Sequence, residues 1–271
     1  MTAISSTPSK LPVLETLRAA VAGWVKAAWR MILLMLLYYG AIIGVVIVLA
    51  VALGAISLVI GGGGANGLSP VHWVIVVLGV PLFVAIALRF SIAGYRLADE
   101  SLEGRRPRLL DLLREPRPSL LAYFGLILLS SLLLVLGLGL LVLPGVYLAL
   151  ALSVVLLPMI FENAGILDSM KRSVELTRGN LLRILAVYLL VGLGYVVYVL
   201  FFSGLMTATS VEDAITPVMV ALMALNAIFT LCFGTFSIML QVVLYRRLRA
   251  LKEAPAVPAD TAPAPEASGA A

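Results

Sequence analysis

The chain has 271 residues, 62% of them hydrophobic and only 12% charged, with a net charge of +5. Soluble domains carry about 25% charged residues, so a soluble fold is excluded and a polytopic membrane protein is the class that fits. Spans consume most of this length, which leaves no room for a separate soluble catalytic domain.

Residues 1–12 are small and polar and lack the basic start and short apolar core of a cleavable signal. The first span is then expected to act as its own insertion signal. From Leu14 to Arg30, Leu14, Leu17, Val21, Trp24, Val25 and Ala28 recur at helical spacing. Together with Trp24 and Trp29 they predict an interfacial amphipathic helix, so residues 1–30 read as a cytoplasmic lead plus that helix. Residues 31–60 follow without a charge. As one helix they would run about 45 Å against a hydrocarbon core of about 30 Å, so this span must tilt, bend near Gly44 or Gly54, or protrude. Gly40 and Gly44 form a small-xxx-small pair that suits internal helix packing better than a dimer seam.

A glycine-rich turn at 61–70 leads to span two, 71–88, with Pro81 as an expected kink. The next loop holds Arg105, Arg106, Arg108, Arg114 and Arg117, and Leu109 to Leu113 suggest a short surface helix stopped by Pro116 and Pro118. Residues 120–161 are too long for one span, about 63 Å as a helix. Pro144-Gly145 divides them into a hairpin, with spans at 120–143 and 146–161. Spans five and six are 181–202 and 217–244; residues 254–271 read as a disordered Ala/Pro-rich tail. The membrane domain thus occupies 31–253 in an all-α, six-helix arrangement.

Between spans four and five lies the one dense polar helical pattern, FENAGILDSMKRSVELTRGN from Phe161. Asp168, Arg172 and Glu175 are spaced for ion pairing. Ile166, Leu167, Met170 and Val174 suit the buried face of a membrane-surface helix, and Gly179-Asn180 supplies its stop. A Glu162 paired with Arg89, Lys171 or Arg172 would lock this connector onto the bundle.

Charge tests the six-span reading. Lys10, Arg18, Lys26 and Arg30 precede span one, and Arg89, Arg96, Arg105, Arg106, Arg108, Arg114 and Arg117 separate spans two and three. Lys171, Arg172, Arg178 and Arg183 cluster around the 4–5 connector, and Arg246, Arg247, Arg249 and Lys252 follow span six. These are all nineteen basic residues, and the opposite loops carry only Glu212 and Asp213. The positive-inside rule makes both termini cytoplasmic in a bacterial inner membrane.

Catalytic apparatus is hard to find. His72 stands alone and reads as an interfacial residue rather than a metal ligand; Cys232 reads as a packing residue and has no disulfide partner. No phosphate-binding GxxxxGK[ST] and no GxSxG elbow occur. Asn226, Thr230, Thr235, Ser237 and Gln241 punctuate span six and suit interhelical hydrogen bonds more than a conduction path. No enzymatic activity, cofactor, metal or nucleic-acid partner is expected.

LPGVYLALALSVVLLPMIFE, SMKRSVELTRGN, VVLYRRLR and EGRRPRLLDLL resemble the glycerophosphodiester phosphodiesterase membrane-domain family over roughly residues 100–250. The resemblance implies a six-helix bundle with Pro144 and Gly145 at the hairpin and Glu162, Lys171, Arg172, Ser173, Thr177, Gly179 and Asn180 on the cytoplasmic connector. Relatives often carry an arginine within span four, where this chain has Ala151, so a role for a charge there does not carry over. Nor does the hydrolase chemistry, because the barrel is missing.

The expected function is therefore that of a non-enzymatic inner-membrane protein that binds lipid or supports a membrane complex. Its candidate surface for anionic headgroups, a protein partner or a second copy is Arg105, Arg106, Glu162, Lys171, Arg172, Arg246 and Arg247. A transporter of small molecules or lipids is the alternative, and a lipid-modifying enzyme using Glu162 is a third.

Overall fold

The computed structural model describes residues 10–60, 70–114, 118–209 and 216–253, with the side chains of 56–60, 70–76 and 78 left aside. Residues 1–9 of the expected lead, the 61–69 turn, the His72 and Trp73 side chains, Pro116, Arg117, Glu212, Asp213 and the 254–271 tail lie outside the described residues. Among those described, all regular structure is helical: α1 (Val13–Ile60), α2 (Pro70–Leu102), α3 (Leu109–Arg114), α4 (Leu120–Leu140), α5 (Val142–Ala151), α6 (Leu156–Phe161), α7 (Ile166–Thr177), α8 (Leu181–Thr209) and α9 (Pro217–Glu253).

Six helical segments are long and apolar enough to cross a membrane, namely Val13–Ala55, Gly79–Leu102, Leu120–Leu140, Val142–Phe161, Leu181–Thr209 and Pro217–Glu253. Several boundaries differ from the sequence reading. The interfacial helix and span one are a single helix, α1, because nothing between Arg30 and Met31 breaks the ladder. Its face toward the bundle is built on Thr16, Ala20, Ala27, Met31 and Leu34, whereas Leu14, Val21 and Val25 stay exposed. Trp24 also departs from expectation. It turns inward, donating from Nε1 to Thr235 Oγ1 at 3.0 Å and meeting Phe236 edge-on.

Prolines set the breaks in the 120–161 block, one turn upstream of where they stand. A proline ring collides with the carbonyl four residues earlier. For Pro144 that residue is Leu140, where α4 ends; for Pro158 it is Val154, inside the 152–155 turn between α5 and α6. The hairpin therefore turns at the extended residue Leu141 rather than at Pro144-Gly145. Pro144 lies in the first turn of α5, where a missing N–H costs nothing.

Burial is uneven along the helices. The core comes from the first halves of α1, α4 and α8 (Met31, Leu34, Tyr123, Leu126, Ile184, Val187) and the second halves of α2 and α9 (Ile92, Leu97, Met239, Leu244, Leu248). All of these lie toward the end that carries α3 and α7. Farther along, large apolar side chains such as Ile47, Val135, Leu193 and Phe201 are exposed, as suits a lipid-facing surface. A Cβ at Gly40 or Gly44 would meet nothing within 4 Å among the described residues, so no close internal helix contact is seen at that pair. In hydrocarbon, apolar burial gives helices little reason to associate, and the polar end accordingly concentrates the specific contacts.

The stop after α7 is as expected. Gly179 adopts φ +90°, a conformation that strains any side chain with a Cβ. Gly179→Ala is expected to cost about 1 kcal/mol, measurable as a lowered thermal midpoint of the purified protein; an unchanged midpoint would show that the turn relaxes freely.

Candidate functional site

The break after α5 leaves a helix-terminal carbonyl, Ala151 O, without an intrahelical partner. The connector helix α7 supplies one. Ser173 Oγ donates to Ala151 O at 2.7 Å, with Thr177 Oγ1 at 3.4 Å from the same oxygen. Ser169, Ser173 and Thr177 recur every four residues and are fully buried, whereas Leu167 is exposed. The buried face of α7 is thus hydroxylic as well as apolar, with Ile166 and Met170 packed beside it. The Ile166–Val174 pattern identified only its apolar part. Ala151 is itself buried, and its carbonyl is already committed to α7.

Glu162 sits just beyond α6 and gathers three elements. Tyr245 on α9 donates its hydroxyl to Glu162 Oε1 at 2.5 Å, and Arg172 Nε on α7 stands 3.3 Å from Oε2. Arg249 Nε lies 4.0 Å from Oε1. Arg172 also pairs with Glu253 and, at 3.8 Å, with Glu175; Arg249 reaches Glu253 at 2.8 Å. The expected Asp168–Arg172 pair is not formed, because the arginine turns along the bundle end toward Glu162 and Glu253. Burial works against the Arg172 charge, but the pull of Glu162 and the hydrogen bond and charge of Glu253 outweigh it. Its guanidinium is held above the ordinary arginine range.

A second cluster ties α9 to α2. Arg246 Nε pairs with Asp99 Oδ1 at 2.5 Å, and its Nη2 reaches Asp99 O at 3.0 Å and Glu103 Oε1 at 2.7 Å. Arg105 pairs with Glu103, and Arg247 donates to Glu15 O at 3.1 Å. Between the two clusters runs a groove of about 400 Å³ lined by Asp99, Glu103, Phe161, Tyr245, Arg246, Arg249, Ala250 and Glu253.

Asn180 has a role beyond a helix stop. Its Oδ1 accepts from Leu11 N at 3.0 Å, while Arg183 Nη1 donates to Leu11 O at 2.8 Å. The two clamp the approach to α1, and Leu11 is fully buried there.

Of the sequence-derived surface, the fold brings Glu162 and Arg172 together and sets Arg246 and Arg247 in ion pairs of their own. Arg106 and Lys171 are exposed, and so is Arg105 apart from its pair with Glu103. The sequence reading missed Tyr245, Arg249, Glu253, Asp99 and Glu103. The signal available was one face of the last turns of α9, along which Tyr245, Arg249 and Glu253 recur every four residues.

Polar residues in the sixth segment are mostly spoken for. Thr235 accepts from Trp24, Gln241 Oε1 accepts from Tyr95 Oη at 2.8 Å, and Asn226 Oδ1 accepts from Tyr198 Oη at 3.1 Å. A groove of about 460 Å³ nevertheless runs beside Asn226 and Thr230 between α9 and Leu36 and Tyr39 of α1. Among the described residues no group of His, Cys, Asp or Glu could hold a metal ion.

Residues 119–248 match a family described as a domain of unknown function (DUF7847). That stretch runs from the cap of α4 to the last turns of α9 and contains Glu162, Arg172, Asn180 and Tyr245. The finding overturns the resemblance to the glycerophosphodiester phosphodiesterase membrane-domain family. The quoted stretches are apolar span ends and short basic segments, a composition that positive-inside bias produces in multi-pass proteins generally. No curated protein and no solved structure matches the chain.

Proposed function

We propose that this chain is a non-enzymatic, multi-pass protein of a bacterial inner membrane, with both termini cytoplasmic, which engages lipid headgroups at its polar end. The observation that carries the reading is the organisation of that end. Arg172, Arg246, Arg247 and Arg249 are fixed by carboxylates from other parts of the chain, while Arg105, Arg106, Lys171 and Arg178 are exposed beside them. A fixed framework with exposed cations suits attraction to anionic lipid, worth about 1 kcal/mol per basic residue near the surface. Both carboxylate oxygens of Glu162 are engaged, by Tyr245 and Arg172, which weighs against an acid–base role for it. A supporting role in a membrane complex would use the same exposed residues.

The test is native mass spectrometry of the protein extracted gently from its own membrane. Retained phospholipid, or a retained protein partner, that is lost in Lys171→Glu/Arg178→Glu is the expected result. Adducts unaffected by that charge reversal, or a bare monomer, would remove the reading. The groove beside Asn226 favours transport of a small amphiphile as the second reading. Uptake or flipping by reconstituted vesicles, abolished by Asn226→Leu, would bring it forward.

A further inference from the structure

We propose that the 400 Å³ groove at the polar end takes the headgroup of an ethanolamine-type phospholipid, a zwitterion with a primary ammonium and a phosphodiester. This rests on the headgroup-binding reading above and names the ligand class for one part of that surface. The charge inventory is the first argument. Asp99, Glu103 and Glu253 line the groove beside Arg246 and Arg249, so its wall is mixed in charge. A zwitterion meets both signs.

Geometry is the second. Arg249 makes its pairs with Glu253 and Glu162 through Nε, and its side chain is 45% exposed. A guanidinium carries five donors in a planar fork, which matches the two free oxygens of a phosphodiester. Each carboxylate offers about four lone-pair sites, so the existing ion pairs leave acceptor capacity for an ammonium at the acids. Position is the third. Phe161 ends the fourth membrane-length segment, and Asp99 lies in the last turn of the second. The groove therefore opens where apolar span gives way to charge, the level at which headgroups lie.

The test adds equimolar phosphatidylethanolamine, phosphatidylcholine and phosphatidylglycerol to the full chain in detergent and reads retained lipid by native mass spectrometry. Choline's quaternary nitrogen has no N–H to donate. Retention of the ethanolamine lipid about tenfold over the choline lipid is expected, the worth of one charge-assisted hydrogen bond. Equal retention of the ethanolamine and choline lipids overturns this inference and leaves headgroup binding standing, whatever glycerol lipid the exposed basic residues hold. Retention of none overturns both. Glu253→Gln, which removes an ammonium acceptor at the exposed end of α9, is expected to abolish the preference at unchanged helicity; should that variant fail to fold, Glu103→Gln serves in its place. A preference intact in the folded variant excludes this groove as its source.

Discussion

Glu162→Gln is expected to destabilise the folded protein by about 2–3 kcal/mol, and Arg172→Ala by a similar amount. Lys171→Ala, one position away, should change stability by no more than about 0.5 kcal/mol. The difference follows from what each side chain touches. Glu162 accepts from the Tyr245 hydroxyl at 2.5 Å and faces Arg172 at 3.3 Å, so one carboxylate joins the end of α6 to both α7 and α9. The Glu162 and Arg172 side chains are only 23% and 28% exposed. Removing either one leaves the other partly desolvated and short of one partner, with Glu253 still beside Arg172 or Tyr245 still on Glu162, which is costlier than breaking a pair in open water. Lys171 points outward and leaves nothing stranded. Thermal or denaturant unfolding in a fixed detergent separates the three variants. A cycle with Tyr245→Phe should return a coupling of about 1 kcal/mol or more with Glu162→Gln. If Glu162→Gln proved as harmless as Lys171→Ala, the connector would not be held by this network. The assignment of Arg172 to the framework rather than to ligand contact would fall with it.

Some of this arrangement was readable from residue order alone. Six membrane-length segments follow from apolar length, and the existence of α7 with its stop at Gly179 follows from local pattern. Glu162 as the connector's lock was one of the readings that residue order allowed, with Arg89, Lys171 and Arg172 open as partners. The partners were not readable, since they come from elsewhere in the chain. Tyr245 and Glu253 lie 83 and 81 residues from Glu162 and Arg172, respectively. Only the fold decides that Arg172 reaches Glu253 instead of Asp168. Likewise, the hydroxyl spacing of Ser169, Ser173 and Thr177 acquires meaning once the orphan carbonyl at Ala151 is known to face it.

Arginine-rich rims also invite a misreading that the structure corrects. Positive-inside bias places basic residues at one end of any such protein, and sequence cannot distinguish those that face lipid from those that hold helices together. Here Arg246 lies against Asp99 and Glu103, and Arg247 against Glu15. Two acids after span two, Asp99 and Glu103, are the receptors for Arg246 of α9. Lys171 and Arg178 are exposed, and under the proposed headgroup-binding reading the two classes predict different outcomes: loss of stability for the first, loss of lipid contact for the second.

The hairpin between α4 and α5 provides the other large effect. Gly145→Val is expected to cost about 3 kcal/mol, at the upper end of overpacking penalties, and Gly145→Ala about 1–3 kcal/mol. A Cβ at Gly145 would stand 2.7 Å from Leu138 Cα and 2.5 Å from Leu138 Cδ2. The side-chain contact could be relieved by rotation. The contact with the Leu138 backbone cannot, so α4 and α5 would have to separate. Gly137 faces the same seam, 3.3 Å from the Gly145 Cα by the same measure, so there is no slack on the opposite helix to absorb the shift. Gly192 in α8 is the control: a Cβ there meets nothing within 4 Å. Gly192→Ala should be neutral or stabilising by up to about 1 kcal/mol through helix propensity alone. Unfolding of the three variants under one set of conditions decides the matter. Equal behaviour of Gly145→Ala and Gly192→Ala would mean that the hairpin is not closely packed at this point. A selective loss at Gly145 would locate the tightest helix crossing one residue beyond the proline that ends α4, where the chain reverses at Leu141.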